Sequence, residues 1–181
     1  MNSGLVTLRR LKNDIKDYEL LTKWYQKEEI YTHFEQRKLS LDEIKKKYYP
    51  RTLDNAKVPV YMIEYQNKPV GIIQYQLIDD DNKNLYGITN DNCYEIDIFI
   101  GEISLHNFGI GKTAIDLISD YLFKENDASL LVMCPLEDNI NAIKCYSKCG
   151  FKIIREFETE NTIGIIKKYV LMIKKLNKKG R

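Results

Sequence analysis

The amino-acid sequence predicts a single domain of mixed α/β class, in which helices cover a β-sheet. Some segments alternate apolar and polar residues, as strands do, whereas others repeat apolar residues every three to four positions, as helices do. A nearly all-apolar run at 129–134 is typical of a strand buried on both faces. The 181 residues are close to the size of one domain. We therefore expect one domain at 1–175 and a basic tail at 176–181.

The first third of the chain is predicted to hold one strand followed by two helices. Residues 5–11 alternate as a strand does, and Asn13-Asp14 offers an N-cap for a helix over about 14–27. The segment Ser40-Leu-Asp-Glu43 fits a capping box, in which the serine and glutamate side chains satisfy backbone N–H groups. We expect this second helix to end before Pro50.

The middle of the chain is predicted to form three strands. The runs at 58–65 and 70–78 are rich in β-branched and aromatic residues, and the short polar turn between them predicts a hairpin. Residues 79–92 are polar and rich in turn-forming residues, so we expect a loop there. The alternation at 93–101 then predicts the third of these strands.

The last third completes the sheet and brings the expected helices to four. A helix is predicted directly after Gly109 and Gly111, and the buried strand that follows ends at Pro135. The next helix ends at Gly150, the residue type that most readily adopts the left-handed backbone of a helix end. Two final strands, the second of them long, are expected to pair antiparallel.

Composition and charge exclude several classes of protein. Hydrophobic residues make up 44% and charged residues 30%, which is a globular balance. There are 28 basic and 26 acidic residues, and five of the basic ones lie in the last eight positions. The body is therefore mildly acidic and lacks the basic stripe of a nucleic-acid-binding protein. Without a segment that resembles a membrane span or a signal peptide, we expect a cytoplasmic protein with no membrane partner.

The cysteines predict neither disulfides nor a metal site. A cytoplasmic chain of this size does not keep disulfides, and no two cysteines have Cys-x-x-Cys spacing. With only two histidines in the chain, no zinc quartet is evident, so we expect no bound metal. Cys134 is interpreted as a small buried hydrophobe.

The segment His106-Asn-Phe-Gly-Ile-Gly-Lys-Thr113 lies between a predicted strand and a predicted helix. Its glycines let backbone N–H groups approach an anion at the helix N-terminus, where the helix dipole favours negative charge. A Walker A loop would need a glycine in place of His106 and is excluded. A dinucleotide fingerprint matches Gly109, Gly111 and Ala114 but lacks the acidic residue expected near the next strand. A purely structural turn is the alternative to a phosphate site.

Two motifs in this part of the chain resemble those of the GNAT N-acetyltransferase superfamily. The glycine-rich segment is similar to the acyl-CoA pyrophosphate loop [RQ]-x-x-G-x-[GA], with His106 at its first position. The segment from Asn139 to Phe151 resembles the signature N-x-x-A-[IR]-x-x-Y-x-x-x-G-F. The resemblance implies the GNAT acyl-CoA N-acyltransferase fold, a central, mostly antiparallel, twisted sheet whose fourth and fifth strands splay apart, flanked by about four helices.

The same resemblance implies an N-acetyltransferase with acetyl-CoA as its cosubstrate, bound between the splayed strands. Backbone amides of 108–113 would hold the pyrophosphate, and the fourth strand would hold the pantetheine. Tyr146 would act as the general acid that protonates the departing thiolate, whereas a half-buried structural tyrosine is the alternative. The expected cofactor contacts are Ile98, Phe99, Ile100, His106, Asn107, Phe108, Gly109, Ile110, Gly111, Lys112, Thr113, Asn139, Ala142 and Tyr146.

Acidic residues concentrate at 79–97, where six of them stand against one lysine. Surfaces of one charge sign attract the opposite sign, which favours a cationic small-molecule amine as the second substrate. Alternation places Glu95 and Asp97 on one face of a strand, where carboxylates among apolar neighbours require a purpose. Asp97 is the expected base that takes the proton of the amine, and Glu95 can share that work. For Asp79, a solvated loop tip is the competing interpretation.

The acidic stretch resembles the aminoglycoside 6'-N-acetyltransferases, which carry an aspartate in the corresponding strand. The resemblance implies the 6'-amine of an aminoglycoside as acceptor, and hence antibiotic resistance. This chain departs from that pattern at Ile98 and Cys134, where those enzymes commonly have Gln and Asp. Other acceptors stay open, namely a polyamine, a hydroxylysine-type siderophore precursor or a protein N-terminus, as does a non-catalytic CoA-binding module. Both a monomer and a homodimer are compatible with the sequence. The expected substrate contacts are Trp24, Tyr25, Asp79, Glu95 and Asp97.

Overall fold

The computed structural model of the protein describes residues 1–161 and 163–176, which form an eight-stranded sheet with six α-helices. The strands are β1 (Asn2–Ser3), β2 (Val6–Arg10), β3 (Val60–Tyr65), β4 (Lys68–Leu77), β5 (Cys93–Ile100), β6 (Leu130–Met133), β7 (Lys152–Glu160) and β8 (Ile166–Lys175). The helices are α1 (Ile15–Tyr25), α2 (Glu28–Tyr31), α3 (Leu41–Tyr48), α4 (Asp80–Tyr86), α5 (Ile110–Glu125) and α6 (Ile140–Lys148). The predicted mixed α/β class is confirmed.

The helix ends follow the capping residues that the sequence indicates. The Asp14 side chain accepts a hydrogen bond from the backbone N–H of Lys16 at the start of α1. At the start of α3, Ser40 and Glu43 form the predicted capping box. Gly150 adopts a left-handed backbone with φ of 89° directly after α6. These local contacts explain why the predicted helix starts lie within two residues of the observed ones.

The prediction of a loop at 79–92 is wrong in its first half, which forms α4. The Asp79 side chain caps this helix by accepting a hydrogen bond from the backbone N–H of Asn82 at 2.9 Å. Gly87 ends it in a left-handed conformation with φ of 68°. The helix was missed because its polar sequence has little apolar periodicity, and only Tyr86 is buried. The short elements β1 and α2 were not predicted either.

The strands lie in the order β1-β2-β3-β4-β5-β6-β8-β7, and every neighbouring pair is antiparallel except β5 with β6. The parallel pair is short, since only Cys93–Glu95 of β5 face β6. From 96 to 100, β5 continues along β4 but has no partner on its other side among the described residues. We call this open side of β5 the notch. It corresponds to the predicted divergence of the fourth and fifth strands. Those two strands are numbered β5 and β6 here because the short strand β1 precedes the first predicted strand.

Helices pack on both faces of the sheet, which explains the continuous apolar runs in the central strands. In β4, Ile72 packs with the cluster formed by α1 and α3, whereas the next residue, Ile73, packs with α5 on the opposite face. Fully burying one such side chain contributes about 1.5–3 kcal/mol to stability. The two clusters therefore hold β5 firmly along one edge of the notch.

Residues 177–181 of the predicted basic tail lie outside the described residues, so the boundary near 175 stays a prediction. Across the part of the chain that the structure describes, no helix combines the length and the hydrophobicity needed to cross a membrane.

Candidate active site

The notch offers backbone hydrogen-bonding groups that an extended ligand can use. Without a neighbouring strand on one side, part of the backbone of 96–100 has no partner in the sheet, and such groups normally find one. The Phe99 side chain is buried beneath the sheet, so only the backbone of this residue is available at the notch. His106 already occupies one position, because its Nε2 lies 2.8 Å from the carbonyl oxygen of Ile100. Since a carbonyl only accepts, His106 donates this hydrogen bond.

The segment from His106 to Thr113, called the cradle below, turns into the N-terminus of α5 beside the notch. Asn107 and Gly109 both adopt left-handed backbones, with φ of 67° and 79°. No side chain caps α5, and the first N–H bonded into the turn is that of Thr113, which reaches the Gly109 carbonyl at 3.0 Å. The preceding N–H groups of the first turn are therefore available to an anion, which the positive end of the helix dipole also favours.

The cradle side chains differ in what they can contribute. Lys112 forms an ion pair with Asp116 at 2.5 Å, so its charge is already partly compensated. Phe108 is 67% exposed and presents an open apolar surface next to the glycines. A Cβ added at Gly111 would meet only ordinary contacts at 3.9 Å, so the protein interior does not require glycine there.

Helix α6 packs beside α5, with Cys145 close to Gly111 of the cradle, and carries the predicted acid. Asn139 caps this helix by accepting a hydrogen bond from the backbone N–H of Ala142 at 3.2 Å. Tyr146 is 9% exposed, and its hydroxyl forms no hydrogen bond within residues 1–161 and 163–176. Burial, and then the negative charge of Asp97, raise the pKa of Tyr146. The phenol therefore keeps its proton at neutral pH and is free to donate it to a new partner.

The two predicted carboxylates each receive an amide from the neighbouring strand. In the β4–β5 register Gln74 lies opposite Asp97, and Gln76 lies opposite Glu95. The Gln74 Nε2 atom donates to Asp97 Oδ2 at 2.9 Å, and Gln76 Nε2 donates to Glu95 Oε2 at 3.2 Å. Burial raises the pKa of Asp97 above its ordinary value, whereas the Gln74 hydrogen bond opposes this rise. The carboxylates therefore titrate closer to neutral pH than exposed ones do.

Glu95 interacts with Tyr86 and with the thiol of Cys134, and the sequence did not indicate either residue as part of the site. The Tyr86 hydroxyl, at the end of α4, donates to Glu95 Oε1 at 2.9 Å. Burial, followed by the charge of Asp97, raises the pKa of Glu95 to about 7. Burial also raises the pKa of the nearby Cys134 thiol well above its usual value, so the thiol stays protonated and is a poor nucleophile. The available signal for Tyr86 in the sequence is the pair Asp79 and Gly87. Recognised as the two caps of a helix, they place Tyr86 in its last turn.

Three predicted substrate contacts lie elsewhere. Trp24 and Tyr25 are 0% exposed, so neither side chain reaches the surface. Both rings pack edge-on against Phe99, with centroids 6.0 and 5.5 Å away, and support β5 from below. We therefore correct their expected role from contacting substrate to positioning this strand. Asp79 is exposed, as the solvated-tip interpretation expects, and its carboxylate caps α4.

The sheet opens at its parallel β5–β6 pair, beside the uncapped N-terminus of α5, which suits an extended ligand that carries phosphate groups. Residues 14–159 match the family model described as an acetyltransferase (GNAT) domain. The chain belongs to the GNAT acetyltransferase family, and it is an acetyl-CoA-dependent transferase.

Relatives and solved structures agree with this family. The chain is 24% identical over 150 residues to the aminoglycoside N(6')-acetyltransferase type 1 of Klebsiella pneumoniae, covering 81% of this chain and 74% of the relative. Its fold is similar to that of aminoglycoside acetyltransferase AAC(6')-Ib in complex with coenzyme A and kanamycin, with a TM-score of 0.77, 22% identity and 94% and 95% of the two chains covered. It is also similar to spermidine N-acetyltransferase from Vibrio cholerae in complex with CoA and spermine, with a TM-score of 0.77, 21% identity and 97% and 98% covered.

Proposed function

We propose that this enzyme acetylates the 6'-amine of an aminoglycoside, with Asp97 as the base and Tyr146 as the acid. The observation that carries the proposal is the Asp97 carboxylate on the open part of β5, where Gln74 donates to it at 2.9 Å. Asp97 is a half-buried carboxylate held by Gln74, and Tyr146 is a protonated phenol close enough to respond to the charge of Asp97. The aminoglycoside itself is suggested by the curated relative, which is named for that activity.

The proposed binding of acetyl-CoA uses backbone groups more than side chains. The open backbone of Ile98, Phe99 and Ile100 would pair with the amides of the pantetheine, as an added strand pairs with a sheet edge. The free N–H groups at the start of α5 would hold the pyrophosphate. His106 would hold the cradle against the end of β5 through its hydrogen bond to the Ile100 carbonyl, and Asn139 would position α6 by capping it.

The proposed reaction is a direct transfer from the thioester to the amine. The acceptor binds as an ammonium near Asp97 and Glu95, and Asp97 removes a proton, directly or through a water molecule. The free amine then attacks the carbonyl carbon, forms the new C–N bond and expels the thiolate as the C–S bond breaks. Tyr146 donates its proton to the sulfur, which shares the charge that develops there. The protonated state of Cys134 argues against an acyl-cysteine intermediate.

A smaller amine is the second candidate acceptor, and the charges around Asp97 favour it. Lys47 and Arg51 bring two positive charges close enough to oppose the rise in the pKa of Asp97. Cys134 supplies a neutral thiol beside Glu95. A polycationic sugar gains less from such a site than from a purely acidic one. A hydroxylysine-type precursor or a protein N-terminus carries fewer positive charges and needs fewer negative ones. A polyamine is suggested instead by the solved spermidine N-acetyltransferase of similar fold.

The first experiment measures acetyl-CoA binding by calorimetry and then free-thiol release after an amine is added. We expect binding, followed by rapid thiol release with kanamycin or tobramycin. Release with spermidine or lysine, and none with either aminoglycoside, would favour the second candidate. Binding without release from any amine would indicate a CoA-binding module, and the absence of binding would contradict the proposed cofactor site.

The Asp97→Asn variant tests the proposed base. Because the amide cannot accept the proton, we expect kcat/KM for the amine to fall by about 10²–10⁴-fold. Acetyl-CoA affinity should change little, since the cradle does not involve this residue. The matched control is Asp120→Asn on the exposed side of α5, where the carboxylate pairs with Lys124 at 3.5 Å. Unchanged turnover in Asp97→Asn would remove Asp97 from the mechanism.

A further inference from the structure

A chain of two hydrogen bonds connects Asp97 to an arginine that lies 46 residues earlier in the sequence. Arg51 Nη1 donates to Gln74 Oε1 at 2.6 Å, and Gln74 Nε2 donates to Asp97 Oδ2 at 2.9 Å. The intermediate residue, Gln74, is only 6% exposed. A buried amide with both ends bonded has little freedom to turn, so the Asp97 carboxylate meets it in one geometry.

Arg51 fixes the orientation of the Gln74 side-chain amide. A guanidinium carries only donors, so the atom that Gln74 turns toward Arg51 must be its carbonyl oxygen. The NH₂ group is then left facing Asp97, where it can donate to a carboxylate but cannot accept from a carboxylic acid. The arrangement therefore favours the deprotonated form of Asp97.

The second carboxylate provides a comparison within the same strand pair. Gln76 faces Glu95 just as Gln74 faces Asp97, but its hydrogen bond is longer, at 3.2 Å. Within the described part of the chain, the oxygen of the Gln76 amide has no donor to orient it. Of the two amides, only Gln74 is fixed by a cation.

Arg51 is itself held in place from two sides. It lies in the 3₁₀ turn Tyr49–Thr52 directly after α3, and its guanidinium carbon is 5.3 Å from the centroid of the Tyr48 ring. Its carbonyl oxygen accepts a hydrogen bond from Arg10 at 3.1 Å, which anchors the turn to β2. The guanidinium donates to Gln74 at 2.6 Å, and its charge also acts directly on Asp97.

We propose that Arg51 and Gln74 are positioning residues that hold the Asp97 carboxylate ready to accept the proton of the amine. Arg51 fixes the Gln74 amide, and Gln74 aims one N–H at the oxygen that faces it. Neither residue transfers a proton itself. The inference rests on the proposed function in one respect, the role of Asp97 as the base.

Several other charged or titratable groups also act on Asp97, so the effect of Arg51 must be separated from theirs. Lys47 in α3 opposes the burial-driven rise in the pKa of Asp97, as Arg51 does, and Glu35 enhances it. The remaining groups whose titration is coupled to that of Asp97 by charge are Tyr48, Glu95, Cys134 and Tyr146. All of them remain in an Arg51 variant, which loses both the direct effect of the Arg51 charge on Asp97 and the Arg51–Gln74 link. Gln74→Leu keeps the Arg51 charge, so it isolates the contribution of the Gln74 hydrogen bond.

The test compares Arg51→Met and Gln74→Leu with the unmodified enzyme. Without the fixed N–H, Asp97 holds its proton to a higher pH, so the acid limb of kcat/KM should move up by about one pH unit or more. On the acid limb, below the pKa of Asp97, we expect an activity loss of about tenfold or more, which recovers as the pH rises above the limb. Arg51→Lys should restore part of the limb, because an ammonium is also a pure donor. The control is Lys124→Met, which removes an exposed cation in the last turn of α5 that pairs with Asp120 at 3.5 Å.

A second readout does not depend on activity. Carboxyl carbon NMR, assigned with Asp97→Asn, gives the pKa of Asp97 directly, and the same upward shift is expected in Arg51→Met. If Gln74→Leu does not fold, the NMR titration of Asp97 in Arg51→Met takes the place of the kinetic comparison. An unshifted pKa in folded Arg51→Met would overturn the inference. A shifted pKa together with full activity of Asp97→Asn would leave the link intact and contradict the proposed base instead.

Discussion

Tyr146 is a largely buried tyrosine whose hydroxyl forms no hydrogen bond with the described residues and, unlike the Ser119 hydroxyl, is not cut off from solvent. Replacing it by phenylalanine removes the proton donor and sacrifices no hydrogen bond of the folded protein that the structure describes. We therefore expect Tyr146→Phe to lower kcat by about 10²-fold or more, with little change in the melting temperature. Parallel measurements of kcat and thermal unfolding check this. A lower melting temperature with normal kcat would instead support a purely structural tyrosine.

Gly111 is a position where the fold tolerates a side chain but bound acetyl-CoA is expected not to. A Cβ there meets only Cys145 and Ile100, both at ordinary contact distance, so the protein has room for alanine. A phosphate seated on the first turn of α5 would approach the same backbone closely. We predict that Gly111→Ala keeps the melting temperature of the unmodified enzyme but binds acetyl-CoA at least tenfold more weakly, as measured by calorimetry. Unaltered affinity would place the pyrophosphate elsewhere.

At the scale of elements, α1 packs tightly against the end of β5, and the closest approach is that of Trp24 to Gly101. A Cβ added at Gly101 would lie 2.2 Å from the Trp24 ring, and this ring is fully buried and hydrogen-bonded to Glu102 at 2.8 Å. Because the ring cannot move aside, overpacking should destabilise Gly101→Ala by about 1–3 kcal/mol or more. Thermal unfolding followed by the fluorescence of Trp24, the only tryptophan, measures this. Gly111→Ala, where the added Cβ has room, is the control, and equal stability of the two variants would contradict the packing argument.

The elements themselves were predictable where local chemistry defines them. The capping box at Ser40 and the left-handed Gly150 depend on neighbouring residues only, so the sequence contains the whole signal. Helix α4 was missed because its stability depends on burying Tyr86 against Phe157 of β7, 5.5 Å between ring centroids. A contact between residues so far apart in the chain leaves no periodic pattern in the helix.

For the molecule as a whole, Glu95 makes folding stability depend on pH. Its pKa is about 7 in the folded protein, against 4.5 for an ordinary glutamate, so the folded state keeps this proton longer than the unfolded state does. The stability contribution is present below about pH 4.5 and is lost as the pH rises to about 7. At 1.36 kcal/mol per pKa unit, the loss is at most about 3 kcal/mol.

Glu95→Gln removes this titration and tests the argument. We expect the variant to equal the unmodified protein in stability near pH 4 and to exceed it above pH 7, as measured by urea unfolding across that range. The matched control is Glu19→Gln, which changes an exposed glutamate of α1 and should show no such pH dependence. A stability difference that stays constant from pH 4 to pH 8 would contradict the raised pKa.

The sequence by itself determined the mixed α/β class, most of the elements, the glycine-rich cradle and the candidate pair of Asp97 and Tyr146. Motifs and caps are local, so their signal is complete within a few residues. Only the tertiary structure decided that Trp24 and Tyr25 support β5 from below, and that Gln74 and Arg51 hold Asp97. Those roles follow from the β4–β5 register and from the turn after α3. They join residues far apart in the chain, so no local pattern encodes them.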